Sequence, residues 1–372
     1  MSMLRATGVA TVIMALPYPG MAHASNWQTA VALPMTVEHD SNPRLDTSGV
    51  KAVTRTIIAP DYNLVGTYGR DQFKFGLGVS VEHSSDTSVI KDREDPNLQL
   101  GWQRETEKGS YGLAARYVES STLSSVVEKT GVVVATDGTQ KLYSLAGNWS
   151  SALSERSTLS NETGYTSVHY DINSLINYNE LSNRLVWRYA WSERAEPFLR
   201  FDVTRYEPEK GFAVASSNSY TPTAGVKYQF SERLEGTVHA GVNQVSGTNG
   251  GSSGQGGVEV RYRGARVDSS LDVSRSSVAS GQGGFAEIDQ VQGRWSYAVD
   301  EISRLGVDAS WQDSKGQTPN TLRKYDAWFS RELSPFWIVR LSLMYKERQQ
   351  DGLPDASGEV FGLTLAYSHP DF

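Results

Sequence analysis

Residues 73–82 read Phe73-Lys74-Phe75-Gly76-Leu77-Gly78-Val79-Ser80-Val81-Glu82. The odd positions carry large apolar side chains, and the even positions carry glycine, serine or a full charge. A repeat of two is that of a β-strand, whose successive side chains point to opposite faces. One face of this strand therefore suits an apolar surrounding, and the other suits water.

The same alternation recurs along the chain in eighteen segments. Their centres lie near residues 32, 62, 77, 101, 115, 145, 164, 186, 202, 225, 240, 260, 271, 292, 307, 327, 342 and 364. Short turns follow the even segments. Longer polar loops follow the odd ones, as at 39–54, 84–96, 121–139, 207–219, 246–256 and 349–357. This alternation of loop length is typical of outer-membrane barrels.

The sequence thus predicts an all-β fold with a single transmembrane antiparallel β-barrel. We expect about 18 strands, with 16 as the alternative, and short periplasmic turns opposite long extracellular loops. A Ser-Glu-Arg triplet recurs in the short turns at 154–156, 192–194 and 231–233. A propeller or solenoid has a similar period, but its core would bury the charged face of each strand.

The N-terminus has the order of a secretory signal peptide. Arg5 precedes the apolar run 6–16, and Ala22-His23-Ala24 ends with the small residues of a cleavage site. We therefore predict a cleaved signal peptide at 1–24 and a barrel at 25–372. Export together with a barrel predicts the outer membrane of a Gram-negative bacterium, where membrane lipid and lipopolysaccharide surround the protein.

Composition excludes several kinds of chemistry. The 372 residues contain no cysteine, which removes disulfides, thiol catalysis and cysteine metal sites. His39, Asp40 and Ser41 have the residue types of a catalytic triad, but neighbours on one strand point to opposite faces. The net charge of −7 disfavours nucleic acid. We predict neither enzymatic activity nor a cofactor nor a metal site.

The polar face of the strands would line the pore. Its basic residues are Lys74, Arg116, Arg184, Arg188, Arg200, Lys227, Arg261, Arg263, Arg266, Arg294, Arg304, Lys324, Arg340 and Lys346. Its acidic residues are Glu82, Asp202, Glu235, Glu259, Asp268, Asp272, Asp308 and Asp326. The basic excess predicts a preference for anionic solutes. The alternative is that these charges form structural ion pairs between strands.

Several stretches resemble a family of outer-membrane barrels encoded with exopolysaccharide and exosortase loci, the EpsL-like group. They are residues 37–43 (Val-Glu-His-Asp-Ser-Asn-Pro), 119–123 leading to Thr130-Gly131, Trp149, the turn 153–156, and 165–170. The resemblance implies passage of a secreted polysaccharide chain. It also implies a periplasmic polysaccharide-export lipoprotein as partner.

The sequence leaves three functions open. The resemblance favours a passive pore for export of an anionic exopolysaccharide. The alternatives are a general or anion-selective porin for small solutes, and a structural or adhesive barrel that displays its loops. In either kind of pore, we expect loop 121–139 or loop 207–219 to fold inward as a constriction.

Overall fold

The computed structural model describes residues 26–130, 132, 134, 136–211, 214–247, 250–316 and 318–370. The predicted signal peptide at 1–24 lies outside these residues. The elements are β1 (Asn26–Asp40), β2 (Val53–Ile58), β3 (Asp61–Tyr68), β4 (Asp71–Ser84), β5 (Arg93–Glu105), β6 (Gly109–Ser121), α1 (Thr122–Thr130), β7 (Thr139–Ser154), β8 (Ser157–Tyr170), β9 (Tyr178–Tyr189), β10 (Ala195–Pro208), β11 (Ser217–Ser231), β12 (Leu234–Ser246), β13 (Gly251–Arg263), β14 (Val267–Ala279), β15 (Phe285–Ala298), β16 (Ser303–Lys315), β17 (Asn320–Ser334), β18 (Trp337–Gln350) and β19 (Ala356–Pro370).

Segments β2 and β3 are two halves of one barrel strand. Both pair antiparallel with β1 and with β4 in one continuous register, with Val53 opposite Asp40 and Asp61 opposite Ala32. The break falls at Ala59-Pro60, where proline has no N–H to contribute to the ladder. The nineteen segments therefore make eighteen barrel strands, and the predicted strand number is confirmed over the alternative of sixteen.

The sheet closes on itself through its first and last strands. Residues 30–40 of β1 pair antiparallel with residues 360–370 of β19. Every other strand pairs with its sequence neighbours. Closure removes the unpaired edges that an open sheet would expose. The fold is a closed antiparallel β-barrel, as predicted.

The outer face of the barrel is apolar. Leu77, Leu145 and Leu343 are at least half exposed although they are large hydrophobic residues. Their neighbours in sequence point into the barrel, because successive strand residues alternate faces. Such exposure is expected where the surrounding medium is lipid rather than water. None of the described helices is long and apolar enough to cross a membrane.

The two ends of the barrel differ. One end, here the turn end, has connections as short as 155–156 and 232–233, whereas the other, the loop end, carries 41–52 and 122–138. The repeated triplet is explained by turn geometry, because the serine hydroxyl accepts the N–H of the arginine two residues later at 3.3 Å in all three turns. Such serine contacts stabilise tight turns.

Three local predictions were wrong. The glycine-rich stretch 246–256 is not a long loop, because β13 begins at Gly251 and its glycines pair with β12. The loop 121–139 contains the helix α1, which is too short to give a clear periodic signal. Arg266 lies in the turn between β13 and β14 rather than on a strand.

Candidate channel and its constriction

The inner face of the barrel carries the predicted wall residues. Apart from Arg266, each lies on a strand at the position that alternates with outward apolar neighbours. For example, Arg200 and Asp202 flank Phe201, which is exposed on the outer face. Residues of successive strands then meet across the inner face, so their contacts decide which charges remain available to a solute.

Asp202 lies between two arginines on this face. Its carboxylate oxygens are 2.6 Å from Arg184 Nε and 2.9 Å from Arg200 Nε. Glu235 is similarly bracketed, at 3.0 Å from Lys227 Nζ and 3.6 Å from Arg261 Nη1. These pairs fit the structural alternative, because they neutralise basic residues within the wall.

A tryptophan that the sequence analysis did not single out also lies on the inner face. Trp328 Nε1 donates to Asp308 Oδ2 at 3.0 Å, and the guanidinium of Arg340 stacks 4.5 Å from its ring centroid. Arg340 in turn lies 3.5 Å from Asp326, and Arg294 lies 3.9 Å from Asp308. The alternation of Lys324, Asp326 and Trp328 was the available signal.

A buried network of ion pairs joins β1, β2, β4 and β18 near the loop end of the barrel. Lys346 Nζ lies 2.6 Å from Asp40, and their side chains are only 11% and 4% exposed. Arg55 pairs with Glu38 and, at 2.9 Å, with Glu82. Lys346 and Glu82, which the alternation assigns to the pore wall, are thus enclosed by packing at this end, and their role here is structural.

Further charges share the inner face but were missed because their strands are rich in Gly, Ser, Thr and Asn. The acids are Glu38, Asp40, Asp61, Asp95, Glu105, Glu162, Glu180, Glu196 and Glu332, and the strand bases are Arg55, Arg93 and Arg348. The positive excess of the predicted set therefore disappears when all described strand charges of the inner face are counted. Four basic residues nonetheless remain exposed without an ion pair to any described residue: Lys74, Arg116, Arg263 and Arg304.

Helix α1 lies across the loop end inside the barrel. Its Leu123 packs against a cluster that includes Val53 of β2, and its Val126 shares a cluster with Leu175 of the β8–β9 loop. Its Val127 packs against a cluster that includes Leu322 of β17. Contacts on three sides of the barrel place the helix over the lumen. The expected inward fold of loop 121–139 is thereby confirmed.

Two contacts fix the C-terminal end of α1 against the wall. Lys129 Nζ donates to the Tyr178 hydroxyl at 2.9 Å and lies 3.8 Å from Glu180. Farther along the same loop, the buried carboxylate of Asp137 accepts the backbone N–H of Lys91 and the hydroxyl of Ser121. The segment is therefore tied to the barrel at both ends.

A second set of contacts brings loop residues against the wall at β9, β10 and β14. Tyr178 and Tyr206 pack with Ala279, together with Val214 of the 209–216 loop and Phe285. The backbone N–H of residue 176 donates to the carbonyl of residue 281 at 2.7 Å and so joins two loops. The inward contact of Val214 agrees with the expectation for loop 207–219, of which residues 212–213 lie outside the described part.

Between these contacts and the wall lies a cavity of about 320 Å³. Lys129, Glu180, Arg184, Arg200 and Asp202 are among its lining residues. Within the described ranges, no group of three or more His, Cys, Asp or Glu side chains is placed to hold a metal ion. The cavity is therefore lined by charges of both signs.

Comparisons with known proteins bear on the fold. No protein-family model and no curated protein matches this chain. Among solved structures, OpdK of Pseudomonas aeruginosa, an outer-membrane protein, superposes with a TM-score of 0.54 at 10% identity, covering 93% of this chain and 99% of that one. OpdQ of the same organism gives 0.54 at 9%, covering 93% and 100%. OccAB3 of Acinetobacter baumannii gives 0.52 at 7%, covering 93% and 99%.

At these identities the likeness concerns the fold alone. It extends over nearly the whole described barrel. The solved structures named above are Opd and Occ proteins, and the resemblance to EpsL-like barrels stays a prediction.

Proposed function

We propose that this protein is a porin of the outer membrane that conducts small hydrophilic solutes passively, with a preference for anions. One observation carries the proposal: a closed barrel of eighteen strands has a charged inner face, and helix α1 lies inside its loop end beside a charged cavity of about 320 Å³. In this account solutes move down their own gradients.

The outer membrane is favoured by the apolar outer face and by the likeness to outer-membrane proteins of two Gram-negative bacteria. We place the turn end toward the periplasm and the loop end toward the outside, as is usual for outer-membrane barrels. Aromatic residues such as Trp187, Trp295 and Trp337 near the turn end then lie at the membrane interface.

The same observations favour the porin over the exopolysaccharide exporter. The fold neighbours are Occ and Opd porins, and one OpdK structure was solved with vanillate, a small carboxylate. A sliding polymer would also have to displace α1 and the loop around Val214, which pack against several strands. The porin proposal requires no such displacement.

The anion preference rests on the exposed basic residues that have no acidic partner. Lys74, Arg116, Arg263 and Arg304 present their charge to the passage, whereas Arg184 and Arg200 share theirs with Asp202. Exposed positive charges without an acidic partner raise the local concentration of anions in a channel.

Planar-bilayer recording of the refolded protein tests the proposal. We expect open channels whose reversal potential in a KCl gradient shows chloride preference, and we expect that preference to fall in the double variant Arg116→Ser, Arg304→Ser. Arg275→Ser is the matched control, because Arg275 pairs with Asp289 on the outer face. Absence of conductance, or cation preference, would overturn the porin. Long blocks by an acidic polysaccharide with exclusion of small solutes would instead favour the exporter.

A further inference from the structure

The inner wall of β4–β8 contains a depression that the register of the strands creates. One row across the strands reads Lys74, Gly101, Ala114, Ala146 and Gly164, each residue opposite the next. The adjacent row, toward the turn end, reads Gln72, Gln103, Gly112, Asn148 and Glu162. The small residues of the first row leave room above the wall, and amides line the second.

The resulting cavity has a volume of about 300 Å³ and includes Lys74 and Glu162 in its lining. Glycine is required at one point of its floor. A Cβ atom at Gly112 would lie 2.2 Å from Asn148 Oδ1, so any larger residue would displace that amide. The shape of the cavity thus depends on the small residues of β5, β6 and β7.

Lys74 and Glu162 stand at opposite edges of this cavity, on β4 and β8. Both are exposed, and neither makes an ion pair or hydrogen bond with another described residue. Elsewhere on the inner face, opposite charges are paired directly, as in Lys227 with Glu235 at 3.0 Å. Here the two charges remain separate, with the amides of Gln72, Gln103 and Asn148 between them.

We propose that this cavity binds short zwitterionic peptides. Their carboxylate would pair with Lys74 Nζ, their ammonium with the Glu162 carboxylate, and their peptide groups would hydrogen-bond to the amides. Four strand intervals, roughly 19 Å in all, separate β4 from β8. A free amino acid carries both charges on one carbon, so a peptide matches this spacing better. The inference rests on the proposed function, since a solute reaches the cavity through the channel.

Three peptides of similar size distinguish the contribution of the carboxylate to binding from that of the ammonium. Triglycine carries both, N-acetyl-triglycine only the carboxylate, and triglycinamide only the ammonium. Their affinities for the refolded protein in detergent are measured by titration calorimetry, which does not depend on conduction. We expect triglycine to bind roughly tenfold more tightly than either singly charged peptide, as the loss of one charge-assisted contact implies.

Two substitutions test which side chain of the protein binds each charged group of the peptide. Glu162→Gln is expected to abolish the advantage of triglycine over N-acetyl-triglycine, and Lys74→Gln the advantage over triglycinamide. Glu232→Gln, in the exposed turn between β11 and β12 and away from strands β4–β8, is the control. Circular dichroism and heat-dependent gel mobility check that each variant is folded.

Equal affinities for the three peptides, or a preference that survives both substitutions, would overturn the site. Conductance is recorded on the same samples. Chloride-selective channels without peptide discrimination would leave the porin intact and reject only the site, whereas peptide binding without any conductance would reject the porin and retain the site.

Discussion

At the scale of a residue, Asp202 offsets the positive charge of two neighbouring arginines in the lumen. It accepts a hydrogen bond from Arg184 and forms an ion pair with Arg200, and these three side chains line the constriction cavity. Partly exposed pairs of this kind contribute little to stability. Their main effect is on the electrostatic potential that a passing ion experiences.

Replacement of Asp202 by Asn should therefore raise anion selectivity. A unit charge at about 7 Å in water changes the energy of each ion by roughly 0.6 kcal/mol. The sign is opposite for chloride and potassium, so the chloride-to-potassium permeability ratio should change about sevenfold. The reversal potential in a KCl gradient measures it. Asp355→Asn, on the loop-end connection 351–355, is the control. An unchanged ratio would mean that ions do not pass near Asp202.

Lys346 and Asp40 form the opposite case, a pair that is nearly enclosed. Asp40→Ala would leave the ammonium of Lys346 buried without its partner, which typically costs about 3–5 kcal/mol. We expect a lower urea midpoint for unfolding in detergent micelles. The double variant Asp40→Ala, Lys346→Met should recover most of the loss, because no unpaired charge remains. Equal destabilisation of the two variants would contradict this account.

At the scale of an element, α1 determines how wide the passage is. The helix has only nine residues, and a helix of this length is marginal in isolation. Its stability comes from contacts of Leu123, Val126 and Val127 with the barrel and its loops. The constriction is thus a tertiary feature.

Replacement of residues 123–136 by a short Gly-Ser linker should widen the channel. We expect the single-channel conductance to rise about twofold or more, since the lumen would lose the segment that crosses it. Larger sugars should then enter in liposome-swelling assays. Shortening the 351–355 loop is the control, because Leu353 there is exposed. Unchanged conductance would place the constriction elsewhere.

At the scale of the whole molecule, selectivity is a property of the summed wall charge. The Debye length falls from about 10 Å at 0.1 M salt to about 3 Å at 1 M. Anion preference measured at 0.1 M KCl should therefore largely disappear at 1 M KCl, while the channel stays open. Persistence at 1 M would indicate direct binding of the anion instead of a long-range field.

Much of the architecture was predictable from the chain alone. Alternation such as that of 73–82, repeated eighteen times with alternating short and long connections, determines a barrel, because each strand needs lipid on one face and water on the other. The break at Pro60 was not predictable, because it interrupts the hydrogen bonds of one strand without changing its register. The inward helix α1 was not predictable either, because distant residues such as Leu322 stabilise it.

The sequence by itself determined which residues face inward, because side chains alternate strictly along a strand. Only the tertiary structure decided which of those charges act on a solute. Pairing depends on the neighbours that the register brings opposite, and it joins Arg184 to Asp202 while leaving Lys74 and Glu162 apart. Residues far apart in the chain meet only when the barrel closes, so alternation alone overestimates the positive charge of the pore.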